Sequence, residues 1–432
     1  MGGDEDSDRE LPAGAGIDGM STDGVARDKS TAAHAEIGAW SPATAEPVPR
    51  FLVLDSWRGI AACFVAAFHA GPVGHLQDLS LLRQAYYFVD FFFVLSGFVI
   101  AANYGSRLFD LASVGRFLLL RVGRLYPLHL AMLTAFVGLE LLKFLPGLQA
   151  LAFQPPFSTP QTAPSTIATN LLLIHSLGIH QFYTWNTPSW SISTEFYTYV
   201  VFAVALLLFR ARMTWVLIGA LLVGPLALAA LHGSLGAGYD YGLIRSIYGF
   251  AAGAVGWQLY GVIRSRWGSL PLRRVHFSLL EALAVLLVAL AIMESTSSQL
   301  SLLLPYVFCG AVLLFAFEGG ALSSVLKHRA FLLLGVLSYS IYMTHMLVRR
   351  LILKTADAVE KHIGLDVVQQ ADGTRIIGTE FWHGDLYLLS YLLIVIGVSM
   401  LTYRLIEQPA RAWSRSLVLN RRAAARPSES GA

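Results

Sequence analysis

Residues 54–70 read LDSWRGIAACFVAAFHA, placing an arginine at 58 and a histidine at 69 inside a stretch otherwise apolar enough to be a membrane helix. At about 100° per residue, eleven positions return to nearly the same helical face, with a rise of about 16 Å. Ionisable groups at membrane depth are costly and face a protein-lined or watery cavity. Further groups of this kind follow. YYFVDFFFVLSGFVIAANY carries Asp90 and Ser96, and RFLLLRVGRLYPLHL carries Arg116, Arg121 and Arg124. WSISTEFYTYVVF carries Trp190 and Glu195, Arg245 follows near residue 243, and LSYSIYMTHMLV carries Tyr342 and His345. Arg121 and Arg124 are three apart and therefore neighbours on one helical face. Together these residues describe a polar pathway through an apolar protein.

The elements that position them are membrane spans. The 432-residue chain is 55% hydrophobic and 14% charged, far below the charge of an ordinary soluble enzyme. Apolar runs of spanning length recur at 52–72, 86–103, 126–145, 190–209, 213–231, 243–262, 277–294, 300–317, 331–348 and 386–405. The expected fold is an all-α polytopic membrane protein, about ten transmembrane helices enclosing a central cavity. Residues 1–50 are acidic, small and almost free of aromatics, and read as a disordered cytoplasmic tail. Residues 51–412 form the transmembrane domain, and 413–432 a basic cytoplasmic tail. The start of the chain lacks the basic-then-apolar pattern of a cleaved signal peptide, so the first span is expected to be retained.

Orientation follows from the basic residues. With the N-terminus inside, most of the 31 lysines and arginines fall on the cytoplasmic side, and 144–209 contains none. Both termini are then cytoplasmic, in a multi-pass protein of the inner (plasma) membrane. The basic stretch 349–375, read as an outer loop, is the one discordant element. In this topology Arg121 and Arg124 lie at the inner mouth. His69, Asp90, Glu195, Arg245 and His345 lie in outer halves, with Glu195 at a depth similar to His69. The segment 166–189 reads as an interfacial or re-entrant piece able to line a cavity. Pro127 suits the first turn of the third span.

Each residue also has a plain structural reading. A single buried histidine can simply hydrogen-bond a neighbouring helix, and Arg121 and Arg124 can be topology signals. Phe91, Phe92 and Phe93 read as lipid-facing bulk, Arg404 and Glu407 as an ion pair at a helix terminus. His129, His175, His180 and His232 read as structural. Cys63 and Cys309 both fall in spans, which excludes a disulfide framework, and no metal-ligand spacing or nucleic-acid-binding module occurs.

In order, LDSWRGIAA…FH, FFFVLSGFVI, RVGRLYP, TPSWSISTEFY, LSYSIYMTH and LIEQPAR resemble the acyltransferase 3 family of integral membrane acyltransferases, over about residues 51–412. The family's Arg-x10-His pattern falls on Arg58 and His69, its Arg-x-x-Arg pattern on Arg121 and Arg124, and the glutamate of its SWS…E motif on Glu195. The resemblance implies a non-aminoacyl, acyl-CoA-dependent O-acyltransferase with no bound cofactor. Its co-substrate is acyl-CoA, by the family's habit acetyl-CoA, and its acceptor is a hydroxyl of a carbohydrate or glycolipid outside the membrane.

On that reading Arg121 and Arg124, with Arg116, hold CoA phosphates, and Arg58 lines the donor's path. His69, supported by Glu195, is the catalytic base, or in a variant carries the acyl group transiently. Asp90, Ser96, Trp190, Arg245, Tyr342 and His345 are left for the acceptor or the cavity wall. The competing expectation is a proton-coupled secondary transporter of a sugar or lipid, but the two halves show no matching broken segments.

Overall fold

The computed structural model describes residues 50–71, 74–146, 154–268, 272–296, 298–363, 368–371, 374–377 and 380–424. The expected tail at 1–50 thus lies outside the described residues except for Arg50. Every expected span is a helix. In order they are α1 (Leu52–Ala70), α2 (Phe88–Tyr104), α3 (Leu111–Leu142), α4 (Ser189–Phe209), α5 (Met213–Leu231), α6 (Gly242–Trp267), α7 (Arg274–Glu294), α8 (Leu304–Phe315), α9 (Arg329–Ile363) and α10 (Phe381–Thr402). A last helix, α11 (Gln408–Ala424), follows α10 through a five-residue π-helical turn, Tyr403–Glu407.

Seven helical stretches among the described residues are long and apolar enough to cross a membrane. One of them, Ser189–Leu231, is α4 and α5 joined by a 3₁₀ turn at Arg210–Arg212. Gly-rich α6 carries Arg245 and falls short on apolarity, and α8 falls short on length.

Two helix pairs form the frame, and each is drawn together by glycines. In membranes, helices associate through close packing rather than the hydrophobic effect, so small residues that let backbones touch matter most. Gly59 of α1 sits against the backbone of Leu334 and Gly335 in α9, and Gly335 sits against the carbonyl of Asp55. Gly97 of α2 sits against the carbonyl of Phe250 in α6, and Gly253 against that of Val94. A Cβ at any of these four positions would collide with backbone, which cannot yield as a side chain can. Both pairs run parallel. In α1 and α9, Gly59 and Gly335 are opposite, and so are His69 and His345, ten residues further along each helix.

Several expectations are corrected. α3 begins fifteen residues before the expected start at 126, because Asp110 and Ser113 form a reciprocal capping box there. The bonds from Ser113 hold the Asp110 carboxyl below its ordinary pKa. Arg116, Arg121 and Arg124 therefore stand on a helix rather than in a loop. Pro127 lies inside α3, not in its first turn, and its missing N–H leaves the Gly123 carbonyl without the usual donor.

The stretch after 348 is not a loop, since α9 runs on to Ile363. Part of its discordant charge is neutralised within the protein. Glu140, buried at the end of α3, accepts from Arg350 at 2.6 Å and from Lys143 at 2.6 Å. Beyond α9, strands β1 (Val368–Ala371) and β2 (Thr374–Ile377) pair in an antiparallel hairpin. Glu407 pairs with Arg411 at 3.1 Å and accepts from Ser340 at 3.0 Å, rather than pairing with Arg404, because the helix does not end there.

The phenylalanine run does not form a lipid-facing face of its own. Phe92 packs against Tyr342 and Phe93 against Trp190, while Phe91 meets Phe308 at the wall of an apolar recess. The 166–189 segment is a short helix, Ser165–Leu171, followed by irregular backbone folded into the bundle. Left-handed Leu173 and Trp185 turn that chain inward. His175, Thr184 and Asn186 are buried, and the rings of His129 and His175 stack with centroids 5.7 Å apart.

The glycine contacts make a direct prediction. Gly253→Val should lower stability by about 1–3 kcal/mol through overpacking. Gly261→Ala, on the same helix with nothing near its Cβ position, should be neutral or stabilising by about 0.5–1 kcal/mol. Thermal unfolding of the detergent-solubilised protein distinguishes the two.

Candidate active site

Five helices (α1, α2, α3, α4 and α9) surround a partly open cavity with a free volume of about 80 Å³. Arg58, Arg121, Arg124, Ser96, Glu195 and Tyr199 supply most of its polar wall. Arg58 is engaged by Asp55 one turn earlier in α1. The Arg121 guanidinium lies 5.3 Å from the Tyr104 ring centroid, 5.7 Å from Phe117 and 6.0 Å from Tyr199, and bonds the Tyr104 hydroxyl at 3.2 Å. Such an aromatic cradle holds a guanidinium in place without cancelling its charge. Neither Arg121 nor Arg124 has a carboxylate within ion-pair distance among the described residues. Two cations one helical turn apart on a cavity wall, neither in ion-pair contact with a carboxylate among the described residues, suit a multiply charged anion.

Glu195 belongs to this cavity. Its Oε1 accepts from the Ser96 hydroxyl at 2.8 Å and from the Tyr199 hydroxyl at 2.5 Å. The expectation that Glu195 supports His69 is therefore corrected, as is its depth. α4 starts at Ser189, already buried beside His175 beneath the inward-folded segment. Glu195, almost two turns later, accordingly falls level with Ser96. Tyr199 was not singled out from the sequence, although its position four residues after Glu195 was the available signal.

The partner of His69 is His345. The His345 Nε2 is 3.3 Å from the His69 Nδ1, and the ring centroids are 4.9 Å apart. Each Nδ1 also faces the carbonyl one turn back in its own helix, Val65 at 2.9 Å and Ile341 at 3.3 Å. A carbonyl only accepts, so in the neutral pair each Nδ1 carries the proton. The bare His345 Nε2 then faces the Nδ1–H of His69, and His69 keeps an unprotonated Nε2. That is the tautomer a general base needs. Tyr391 fixes the far side by donating to the His345 carbonyl at 3.1 Å.

The cavity wall includes neither histidine. Phe92 and Tyr342 line the cavity between, with the Tyr342 ring 5.7 Å from Phe92 and 6.0 Å from His345. The Tyr342 hydroxyl is fixed by Ser191 at 2.8 Å and the Pro188 carbonyl at 3.1 Å.

Other residues read from the sequence fall elsewhere. Asp90 and Arg245 bond each other through two contacts, 2.8 and 2.6 Å, fully buried between α2 and α6. Trp190 packs its ring 5.2 Å from the Arg245 guanidinium, and Arg245 also donates to the Ala237 carbonyl at 2.8 Å. These three clamp α2, α4 and α6 and do not line the cavity. Arg116 is half-buried on α3 and is also outside the wall.

Removing one member of a buried pair leaves the other charge uncompensated, at a cost of about 3–5 kcal/mol. Asp90→Ala should therefore sharply reduce the folded yield seen by fluorescence-detected size exclusion. The double variant Asp90→Leu with Arg245→Met should recover much of it.

A family model described as an acyltransferase domain matches residues 51–404. A Rhizobium radiobacter protein described as Protein 2 in picA locus is 31% identical over 162 residues, which cover 36% of this chain and 83% of that protein. No solved structure matches the chain.

Proposed function

The chain belongs to the acyltransferase 3 family and is a membrane acyltransferase, and we propose that it moves an acyl group from cytoplasmic acyl-CoA to a carbohydrate or glycolipid hydroxyl on the other side of the membrane. The observation that carries this reading is a pair of arginines without ion-pair contacts, in a cavity that stops one aromatic layer short of a histidine pair. Arg121 and Arg124 take the donor's phosphates, and Arg58 lies along the path of its pantetheine arm. The thioester reaches the histidine pair past the Phe92 ring, beside the fixed Tyr342 hydroxyl, acetyl being the acyl group the family favours. His69 takes the proton of the acceptor hydroxyl on its free Nε2 as the oxygen attacks the thioester carbon. The C–S bond breaks, and the leaving thiolate collects that proton. His345 acts on His69 by holding its tautomer and ring plane. Glu195, held by Ser96 and Tyr199, balances the charge of the arginine cavity rather than that of the base.

His69→Ala should cut acyl transfer at least about 100-fold, the low end of what a positioned base contributes, with membrane abundance unchanged. Near-normal product from a stable variant overturns the assignment. Arg121→Ala and Arg124→Ala should each weaken CoA binding about tenfold, the worth of one charge-assisted contact. Lysine should restore only part, since it lacks the planar fork. Binding by both alanine variants equal to that of the unaltered protein would leave these arginines as topology signals.

Sidedness has its own test. Gln161 and Ser265 are both exposed, at opposite ends of the bundle. In a background without Cys63 and Cys309, a cysteine at 161 should react with an impermeant thiol reagent on intact cells, and one at 265 only after permeabilisation. The reverse pattern would place the acceptor in the cytoplasm.

A further inference from the structure

A neighbouring face of α1, about a quarter turn round from Arg58, carries a second recess that shares no residue with the arginine cavity. Arg58 faces the cavity, whereas Trp57, Ala61 and Phe64 form a stripe along the recess. α7, α8, the short helix Ala321–Leu326 and Phe88 and Phe91 of α2 add to it, leaving a free volume of about 310 Å³ behind a wholly apolar wall. The α7 residues that line it, including Ala284 and Val288, are half-buried, and the exposed Leu283, Leu286, Leu287 and Leu290 flank them. The groove is therefore open along α7 to whatever surrounds the bundle. Alanines at 61, 284 and 311 leave the room.

Its depth and rim narrow the occupant. Along α1 the wall runs from Leu54 to Phe64, a rise of about 15 Å, which is half the hydrocarbon thickness of about 30 Å. That is the depth of one leaflet. The end nearer the start of α1 is basic. Val325 and Leu326 line the groove and lead directly into Lys327, His328 and Arg329. Arg274, at the start of α7, bonds Ser324 of the short helix at 3.0 Å, and Arg273 precedes it. Lys327 is engaged by Glu318 at 2.7 Å, but Arg273 and Arg329 are exposed, with no ion-pair partner among the described residues. An apolar slot one leaflet deep beneath uncompensated cations matches one chemistry, a fatty chain beneath an anionic headgroup.

We infer that this groove holds one acyl chain of an acidic bilayer phospholipid from the leaflet at the start of α1, with its phosphate at the Arg273, Arg274 and Arg329 rim. The site is separate from acyl transfer, so its test does not depend on the catalytic reading. The full chain is placed in nanodiscs of equal parts phosphatidylcholine and phosphatidylglycerol. One lipid or the other carries a diazirine on its chain, and adducts are mapped by peptide mass spectrometry after irradiation. Phosphatidylglycerol adducts should be several-fold richer on the groove faces of α1, α7 and α8 than around the exposed Leu222 and Leu226 of α5, and richer than phosphatidylcholine adducts. Ala284→Phe with Ala311→Phe should cut groove adducts several-fold and leave those on α5 unchanged. Arg273→Gln with Arg329→Gln, which leaves the groove itself intact, should abolish the preference for phosphatidylglycerol. Adducts equal on groove and α5, or equal for the two lipids, overturn the inference. So does a groove protected from both lipids by a cross-linkable second copy.

Discussion

Backbone contact at four glycines is the constraint from which the rest of this architecture follows. Gly59 with Gly335, and Gly97 with Gly253, let two parallel helix pairs approach until main chain meets main chain. A helix pair so close can neither slide nor rotate without collision, so every side chain further along is placed in register. One pair carries Arg58, His69, Tyr342 and His345. The other carries Asp90, Ser96 and Arg245. The chemistry inherits its geometry from residues that have no side chain.

Within that frame the polar groups divide into two kinds. Asp90 with Arg245, and Glu140 with Lys143 and Arg350, pair with one another and fasten helices together. Arg121, held among aromatic rings, Arg124, and His69, held by a neighbouring histidine, have no carboxylate in contact among the described residues. In a low-dielectric interior a polar group without a partner costs free energy, which the packing of the bundle has to offset. The division between the two kinds is one of bonding, not of residue type.

This is also where sequence reading runs out. The ten helices were legible because apolar runs of spanning length have few other solutions in a bilayer, and Arg58, Arg121 and Arg124 were legible through their spacing. The boundaries of α3 and α9 were not. A capping box and the pairing of Arg350 with buried Glu140 extend both helices past their apolar segments. Glu195 could not be assigned to the arginine cavity from its place in the chain, because its depth depends on a segment folding inward ahead of it. His69 and His345 are 276 residues apart, and only the glycine contact reveals that they meet.

That separation bears on how the protein is made. α1 leaves the ribosome well before its partner α9, which follows only after the seven helices α2 to α8. Until then the small-residue face of α1 has no permanent neighbour, and His69 has no second imidazole to hold its proton. A nascent chain that ends before α9 lacks Ser338, Tyr339 and Tyr342 of the cavity wall as well as the second histidine. On the proposed mechanism the site is therefore completed late in biogenesis, by the return of a distant helix to the first, and an unfinished chain in the membrane is inactive.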